Sequence, residues 1–277
     1  MIDPADPDQL ARLLRKHRID LKKRLGQNFL VDGRIRDSVA QAVEGAPDDE
    51  VIEVGAGVGT LTIALADRYR RVIAVELDHS LIPALREVIE GRDSVEMVEA
   101  DILKVDFAKL YPEGGELIAG NIPYNLTGAL IRKVLDRPPR PRRLSLVVQK
   151  EVAERWTATT GASLATVAVQ VFATARYAFT IPAAAFTPEP RVDSALVVLD
   201  VRDKPAVDVR DMDSFFRLVE AVFQFRRKQL GGALGRIAGI GSEAAASRLR
   251  EAGIDPERRA QTLTLDEWEK VYLRFAR

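Results

Sequence analysis

The chain has 277 residues, 47% of them hydrophobic and 30% charged, with 41 basic side chains against 41 acidic ones. This length and composition suit a globular protein with one large α/β domain and a small appendage, and zero net charge argues against a protein that coats nucleic acid indiscriminately. There is no cysteine, the two histidines stand in no metal-ligand spacing, and no apolar run is long enough to cross a bilayer. We therefore expect no disulfide, no metal and no membrane segment.

The first 36 residues form a basic segment that lacks the apolar core of a secretory signal, so we expect a cytoplasmic protein. Basic side chains are concentrated between residues 12 and 24, where only Asp20 is acidic, and the cluster ends in Lys22, Lys23 and Arg24. Such a cluster is either a solvated face or a surface that contacts phosphates. Together with the motifs described below, it favours phosphate contact.

From residue 50 onward, short aliphatic runs alternate with helical patterns. Strands are predicted at 51–54, 72–76, 95–98, 116–119, 144–148 and 195–201, with helices at 60–69 and 80–89. This alternation predicts a mainly parallel, doubly wound sheet whose ligand loops lie at the carboxyl ends of the strands. Beyond residue 203 the pattern is helical, at 215–223, 230–237, 244–252 and 265–275, with a capping box at Thr264 and Glu267. We predict a first domain over 1–203 and a helical domain over 204–277.

A glycine-rich turn, EVGAGVG at residues 53–59, follows the first of these strands. Gly55 and Gly57 allow the chain to turn tightly and a ligand to approach the backbone, and the next helix directs unpaired N–H groups at it. The G-x-G-x-G spacing differs from the G-x-G-x-x-G of dinucleotide-binding proteins. The turn therefore predicts a nucleotide-like ligand without establishing which one.

Two acids select among such ligands. Glu76 ends the second of these strands, where it is placed for ribose hydroxyls, and Asp101 follows the third, where it is placed for the amine of an adenine. Asp101 has the alternative role of capping a helix. An acid after each of these two strands suits an adenosine without phosphates, so S-adenosylmethionine is favoured over NAD.

The fourth of these strands leads into Asn121-Ile122-Pro123-Tyr124. The exocyclic amine of adenine is a poor nucleophile, and the side-chain oxygen of Asn121 can accept an N6 hydrogen and draw the nitrogen toward tetrahedral geometry. Pro123 stiffens the turn, and Tyr124 offers a π-face to a base swung out of its stack. We predict methyl transfer to adenine N6, in which positioning supplies most of the catalysis. The alternative is a simple turn after a core strand.

A second aromatic element, FTPEPRVDS at residues 186–194, forms a proline-stiffened loop. Phe186 is placed either to stack on the other face of the target base or to plug the edge of the sheet.

Taken in order, these motifs resemble those of the ribosomal RNA adenine N6,N6-dimethyltransferases, and most closely the bacterial small-subunit members. The resemblance runs from about residue 22 to the C-terminal helices. It also includes LGQNFL at 25–30 and QKEVAER at 149–155.

The resemblance implies a Rossmann-like class I S-adenosylmethionine methyltransferase sheet with a small C-terminal all-helical domain that binds RNA or the ribosome. It implies dimethylation of two adjacent adenosines in a hairpin near the 3′ end of 16S rRNA, within a partly assembled 30S particle. We expect a monomer. The predicted adenine contacts are Asn121, Tyr124 and Phe186. The predicted cofactor contacts are Asn28, Leu30, Gly55, Gly57, Glu76, Asp101 and Asn121, and the predicted RNA contacts are Lys22, Lys23, Arg24, Arg226, Arg227 and Lys228.

The chain departs from the family pattern in two places. Residues 157–167 read TATTGASLATV, without the Tyr-Gly pair that is usual there, and residues 230–234 read LGGAL, without the usual Arg and Asn. These departures affect what can be expected of ribosome docking, and they leave the predicted chemistry unchanged. The alternatives are a large-subunit (23S) adenine N6-methyltransferase of the antibiotic-resistance type, a non-catalytic RNA-binding assembly factor on the same scaffold, and a nicotinamide-dependent dehydrogenase.

Overall fold

A computed structural model describes residues 2–20, 27–111, 116–123, 126–135 and 138–275. Four predicted site residues, Lys22, Lys23, Arg24 and Tyr124, lie outside the described residues. The chain divides into two compact units. The sheet unit is Met1–Glu154 with Ala175–Val201, and the helical unit is Arg155–Thr174 with Arg202–Arg277.

The strands in chain order are β1 (Phe29–Leu30), β2 (Glu50–Val54), β3 (Arg71–Glu76), β4 (Val95–Glu99), β5 (Leu117–Asn121), β6 (Arg143–Gln149), β7 (Ala173–Ile181), β8 (Phe186–Thr187) and β9 (Ser194–Val201). Seven of them form one sheet in the order β4-β3-β2-β5-β6-β9-β7. From β4 to β6 the neighbours pair in parallel, and β9 runs antiparallel to β6. The predicted α/β class and mainly parallel sheet are confirmed, and the carboxyl ends of β4, β3, β2 and β5 meet along one edge.

β7 has no counterpart among the strands predicted from the sequence. This strand lies at the edge of the sheet, and most of its side chains are exposed or half-buried. An edge strand needs no continuous aliphatic run, because only part of it packs against the core. The six strands that were predicted are largely buried, with the exception of β4 at the opposite edge.

The helices are α1 (Pro7–Lys16), α2 (Gly33–Gln41), α3 (Thr60–Ala66), α4 (Ile82–Val88), α5 (Phe107–Leu110), α6 (Thr127–Leu135), α7 (Lys150–Thr157), α8 (Leu164–Phe172), α9 (Met212–Phe223), α10 (Leu230–Ala238), α11 (Ser242–Glu251) and α12 (Leu265–Phe275). The predicted helices correspond to α3, α4 and α9 to α12. In the described part of the chain, no helix combines the length and apolar character that spanning a bilayer requires.

The helical unit is held together by aromatic packing. The Phe215 ring lies 5.3 Å from that of Phe216 and 5.7 Å from that of Tyr272, and the Trp268 and Phe223 rings are 5.5 Å apart. The predicted capping box of α12 is confirmed: Thr264 N–H donates to Glu267 Oε2 at 2.9 Å, and Glu267 N–H donates to Thr264 Oγ1 at 3.3 Å.

Residues 155–174 belong to the helical unit, whereas the sequence analysis placed them in the first domain. The physical reason lies in residues 157–167, where the chain departs from the family pattern. Thr160 pairs with Thr264, and a Cβ on Gly161 would lie only 2.9 Å from Trp268 Nε1. Ser163 then caps α8, accepting the Thr166 N–H at 3.1 Å. The atypical stretch therefore packs against the start of α12, a contact that no local sequence pattern reveals.

Candidate active site

A cavity of about 410 Å³ opens at the carboxyl edge of the sheet unit. This size is in the range of pockets that hold small ligands. The cavity lies at the ends of β4, β3, β2 and β5, the edge at which open α/β sheets bind ligands. Eight predicted site residues line it: Asn28, Leu30, Gly55, Gly57, Glu76, Asp101, Asn121 and Pro123.

The glycine-rich turn fixes the carboxylate of Glu76. Gly57 has a φ of 62°, a left-handed conformation that favours glycine, and its N–H donates to Glu76 Oε2 at 2.7 Å. The N–H of Asp78 donates to Glu76 Oε1 at 2.8 Å. Both oxygens of Glu76 are therefore oriented by backbone donors at the wall of the cavity.

Asp101 caps a turn and also lines the cavity. Its Oδ1 accepts the Leu103 N–H at 3.0 Å, and its Oδ2 lies 3.6 Å from Lys104 Nζ. The capping role weighed in the sequence analysis is therefore present, although it serves a turn before α5 and not the helix itself. The two roles are compatible because a carboxylate has about four acceptor positions.

The cavity is acidic. Its described lining residues include four acidic side chains, Glu53, Glu76, Asp78 and Asp101, and no lysine or arginine. Such a lining favours a cationic ligand and opposes a pyrophosphate, because like charges repel strongly where water is excluded. A sulfonium compound such as S-adenosylmethionine fits this charge, whereas NAD does not.

Glu53 is a separate member of the site that was not predicted from the sequence. Its side chain is 1% exposed, and Oε2 has no hydrogen-bond partner among the described residues. Burial raises the pKa of Glu53 to about 8, the Thr62 hydroxyl opposes this rise, and the nearby Glu76 adds to it. The available signal was a carboxylate inside the otherwise aliphatic strand β2, a position that rarely carries a charge without a partner.

Asn121 stands at the end of β5 with its amide held in one orientation. Its Nδ2 donates to the backbone carbonyl of Asn28 at 2.8 Å, so this hydrogen bond distinguishes the amide nitrogen from Oδ1. The preceding residue, Gly120, allows β5 to approach β2 closely, since a Cβ there would lie 2.5 Å from the carbonyl oxygen of Val54. The strand ends that carry Asn121 and Gly55 are therefore brought side by side.

Phe186 lies away from the cavity wall. Its ring is 3% exposed and packs in a hydrophobic cluster with Leu30, Val39 and Leu196. β8 pairs antiparallel with β1, setting Phe186 opposite Leu30. This placement corresponds to the plug at the sheet edge that was the alternative to base stacking. Stacking of Phe186 on a base stays a prediction, and it requires the ring to turn out of this cluster.

The basic triplet of the helical unit, Arg226, Arg227 and Lys228, is exposed. Lys228 Nζ and the Arg236 guanidinium each lie 5.7 Å from the centre of the Phe225 ring, within the range of cation–π contacts. Other bases of this unit form ion pairs with carboxylates, as Arg250 does with Glu243 and Arg258 with Glu267. The triplet forms none within the described parts of the chain.

The glycines that replace the family's usual Arg and Asn in α10 have different surroundings. Gly231 is buried, and a Cβ there would lie 3.3 Å from Pro256 Cβ, whereas a Cβ on the exposed Gly232 would meet nothing within 4 Å. The described residues contain no cluster of three His, Asp or Glu side chains able to hold a metal ion.

A family model described as ribosomal RNA adenine dimethylase matches residues 18–277. The chain belongs to this family. A protein of Pelotomaculum thermopropionicum named ribosomal RNA small subunit methyltransferase A is 42% identical over 98% of this chain and 97% of its own length. Its namesake in Moorella thermoacetica is 38% identical over 96% of each chain.

Two solved structures share the fold. The 23S rRNA methyltransferase ErmE has a TM-score of 0.69 with 28% identity, over 90% of this chain and 100% of its own. A dimethyladenosine transferase from Plasmodium falciparum has a TM-score of 0.71 with 24% identity, over 89% and 97%. The protein is therefore a ribosomal RNA adenine methyltransferase of the class I type, and its methyl donor is S-adenosylmethionine.

Proposed function

We propose that the enzyme places two methyl groups on N6 of each of two adjacent adenosines in a hairpin near the 3′ end of 16S rRNA. The relatives at 42% and 38% identity are named as small-subunit enzymes, whereas the 23S enzyme is 28% identical to this chain. The observation that carries the chemistry is the fixed amide of Asn121 at the rim of an acidic cavity.

S-adenosylmethionine supplies an electrophilic methyl group on its sulfonium. Along the edge of the sheet, Asp101 follows β4, Glu76 ends β3, the glycine turn follows β2 and Asn121 ends β5. We assign Asp101 to the adenine and Glu76 to the ribose of the donor, and the glycine turn to its methionine portion. This order leaves Asn121 beside the reacting end of the cavity.

The chemistry assigned to Asn121 is hydrogen-bond acceptance. Because Nδ2 is engaged by the Asn28 carbonyl, Oδ1 is the atom left to accept a hydrogen from N6 of the target adenine. Accepting that hydrogen localises the nitrogen lone pair and directs it toward the methyl group. After transfer, the cationic nitrogen loses its proton to water, and no general base is needed. The residues therefore contribute by positioning, which can supply several orders of magnitude in rate.

Pro123 keeps this turn in place. Its carbonyl accepts the Leu126 N–H at 2.8 Å, and Ile122 N–H donates to the Val147 carbonyl at 3.1 Å. We assign Tyr124, which lies outside the described residues, to stacking on the target base.

We assign RNA binding to the triplet Arg226, Arg227 and Lys228 together with Lys22, Lys23 and Arg24. The three bases of the triplet are exposed and have no carboxylate partner in the described part of the chain, so they are available for phosphates. Stacking of Lys228 and Arg236 on Phe225 holds two cations at the same surface. The substrate proposed is a partly assembled 30S particle, in which preformed RNA shape supplies much of the specificity. The proposed enzyme is a cytoplasmic monomer.

The test is transfer of labelled methyl groups from S-adenosylmethionine to unmethylated 30S particles, followed by nucleoside mapping. We expect dimethyladenosine at two adjacent positions near the 3′ end of 16S rRNA and no label in 23S rRNA. Label confined to 23S rRNA would establish the large-subunit alternative. Binding to the particle without any transfer would establish a non-catalytic assembly factor.

A further inference from the structure

Glu53 differs from the other acids of the cavity in what it contacts. Glu76 accepts two backbone N–H groups and Asp101 accepts one. Glu53 is 1% exposed, yet its Oε2 has no partner among the described residues, and Thr60 Oγ1, which also lines the cavity, has none either. A buried acceptor without a donor is costly, and in a ligand cavity the ligand is the natural source of the missing donor.

The place of Glu53 on the sheet indicates which part of the donor it faces. β2 lies between β3, which carries Glu76, and β5, which carries Asn121. If Glu76 binds the ribose and Asn121 the accepting amine, as proposed above, the methionine portion of the donor lies between them. That portion has an α-ammonium group with three N–H donors, as a lysine side chain has. The sulfonium has no hydrogen to donate, so it cannot satisfy an orphaned oxygen.

The charges around Glu53 favour its neutral form while the ammonium is absent. β3 presents Glu76 and α3 presents the hydroxyl of Thr62. Thr60, Asp78 and Asp101 line the same cavity. No basic side chain lines this part of the described cavity. With a pKa of about 8, Glu53 holds its proton at neutral pH.

We propose that Glu53 is the acceptor for the α-ammonium group of S-adenosylmethionine and that it releases its proton to solvent as this group enters. The carboxylic O–H bond breaks, the proton passes to the buffer, and the carboxylate that remains accepts an ammonium N–H. Every other bond of the donor and the protein is unchanged. The inference rests on the proposed use of this cavity for the donor.

Proton release links donor affinity to pH. The affinity rises by up to about tenfold per pH unit while Glu53 is mostly protonated in the empty cavity. The rise ends near pH 8, because the α-ammonium itself loses its proton at about that pH. The pH dependence of donor affinity is therefore best measured between pH 5.5 and 7.5, where the α-ammonium group keeps most of its positive charge.

The test is titration calorimetry of the full chain at pH 7 in buffers of different ionisation enthalpy, which counts the protons released per ligand bound. Three ligands separate the groups: S-adenosylmethionine has both cations, S-adenosylhomocysteine keeps only the ammonium, and 5′-methylthioadenosine has neither. We expect about one proton released with each of the first two and none with the third.

Two variants localise the proton. Glu53→Gln should abolish its release and make donor affinity nearly independent of pH between 5.5 and 7.5. Glu90→Gln, which removes an exposed carboxylate two residues after α4, should behave as the wild type.

Binding of S-adenosylmethionine without proton release overturns the proposal, and so does equal release with 5′-methylthioadenosine. If Glu53→Gln fails to fold, the three-ligand comparison on wild-type protein decides by itself. If the wild-type protein binds none of the ligands, the donor site itself is misassigned, a result distinct from binding without proton release.

Discussion

The acids of the sheet unit and the bases of the helical unit hold their charge in opposite ways. Glu76 is 6% exposed, and its carboxylate is fixed by two backbone N–H groups. Arg226, Arg227 and Lys228 are exposed and unpaired within the described residues. Buried, oriented charges discriminate strongly because water does not screen them, whereas exposed charges act through many weak, salt-sensitive contacts.

The contrast between buried acids and exposed bases matches the two ligands, the methyl donor and the RNA. A small methyl donor is recognised by a few groups in a cavity, and a large RNA by an extended surface. Changes at the sheet edge should therefore act on chemistry or donor binding, and changes in the helical unit on particle binding or folding. The four predictions below test this separation.

The largest effect is expected at Asn121. Asn121→Ala removes the oxygen that accepts an N6 hydrogen, and loss of one such preorganised hydrogen bond typically costs about 10²- to 10³-fold in kcat. Affinity for S-adenosylmethionine should change only a few-fold, because the acids and the glycine turn remain. Single-turnover methylation of 30S particles and calorimetry of donor binding measure the two quantities. An unchanged rate would remove Asn121 from the mechanism.

A second prediction concerns stability and pH. The pKa of Glu53 is raised to about 8 in the folded protein, from 4.5 for the ordinary group. The unfolded chain therefore loses this proton at lower pH than the folded one, so the contribution of Glu53 to stability is greatest below pH 4.5 and is lost as pH rises through 8. Between pH 5.5 and 8 the ligand-free protein should lose about 3 kcal/mol from this group.

Glu53→Gln cannot ionise, so its stability should lack this decline, and it should exceed the wild type at pH 8. Urea unfolding across that pH range measures the difference, with Glu90→Gln as the surface control. Parallel pH profiles for wild-type and Glu53→Gln protein would show that Glu53 is ionised in the folded state.

The third prediction concerns the surface of the helical unit. Replacing Arg226, Arg227 and Lys228 by alanine should weaken binding to 30S particles about tenfold at low salt and lower the salt slope by two to three, roughly one per phosphate contact. Donor affinity should be unaffected. The matched control removes three other exposed bases of the same unit, Arg202, Lys204 and Arg210. If both triple variants lost affinity for 30S particles equally, the triplet would contribute only through the total positive charge of the unit.

The smallest effect is expected at the start of α12. Thr264→Ala removes one half of the capping box, while Glu267 keeps its contacts with Arg258 at 2.5 and 2.9 Å. We expect a loss of about 1 kcal/mol and a lower unfolding temperature, with methyl transfer per folded molecule unchanged. Reduced donor affinity in this variant would contradict the separation of the two units.

Much of the fold follows from local sequence. Aliphatic runs, the intervening helical periodicity and the EVGAGVG turn predict the strands, their parallel arrangement and the edge at which ligands bind. The same regularity places Glu76, Asp101 and Asn121 at strand ends, and the structure brings all three to one cavity. These features are predictable because each depends on residues that are close in the chain.

Only the tertiary structure decided the remaining features, because they depend on neighbours distant in sequence. The Asn121 amide is oriented by a carbonyl 93 residues away, and Phe186 is buried opposite Leu30 through the pairing of β8 with β1. Residues 155–174 join the helical unit through contacts with α12. The sequence shows Glu53 only as an acid within a strand. Its burial beside Glu76 raises its pKa to about 8, and burial depends on the packed structure. Burial and partnership are properties of the packed chain, so no local pattern encodes them.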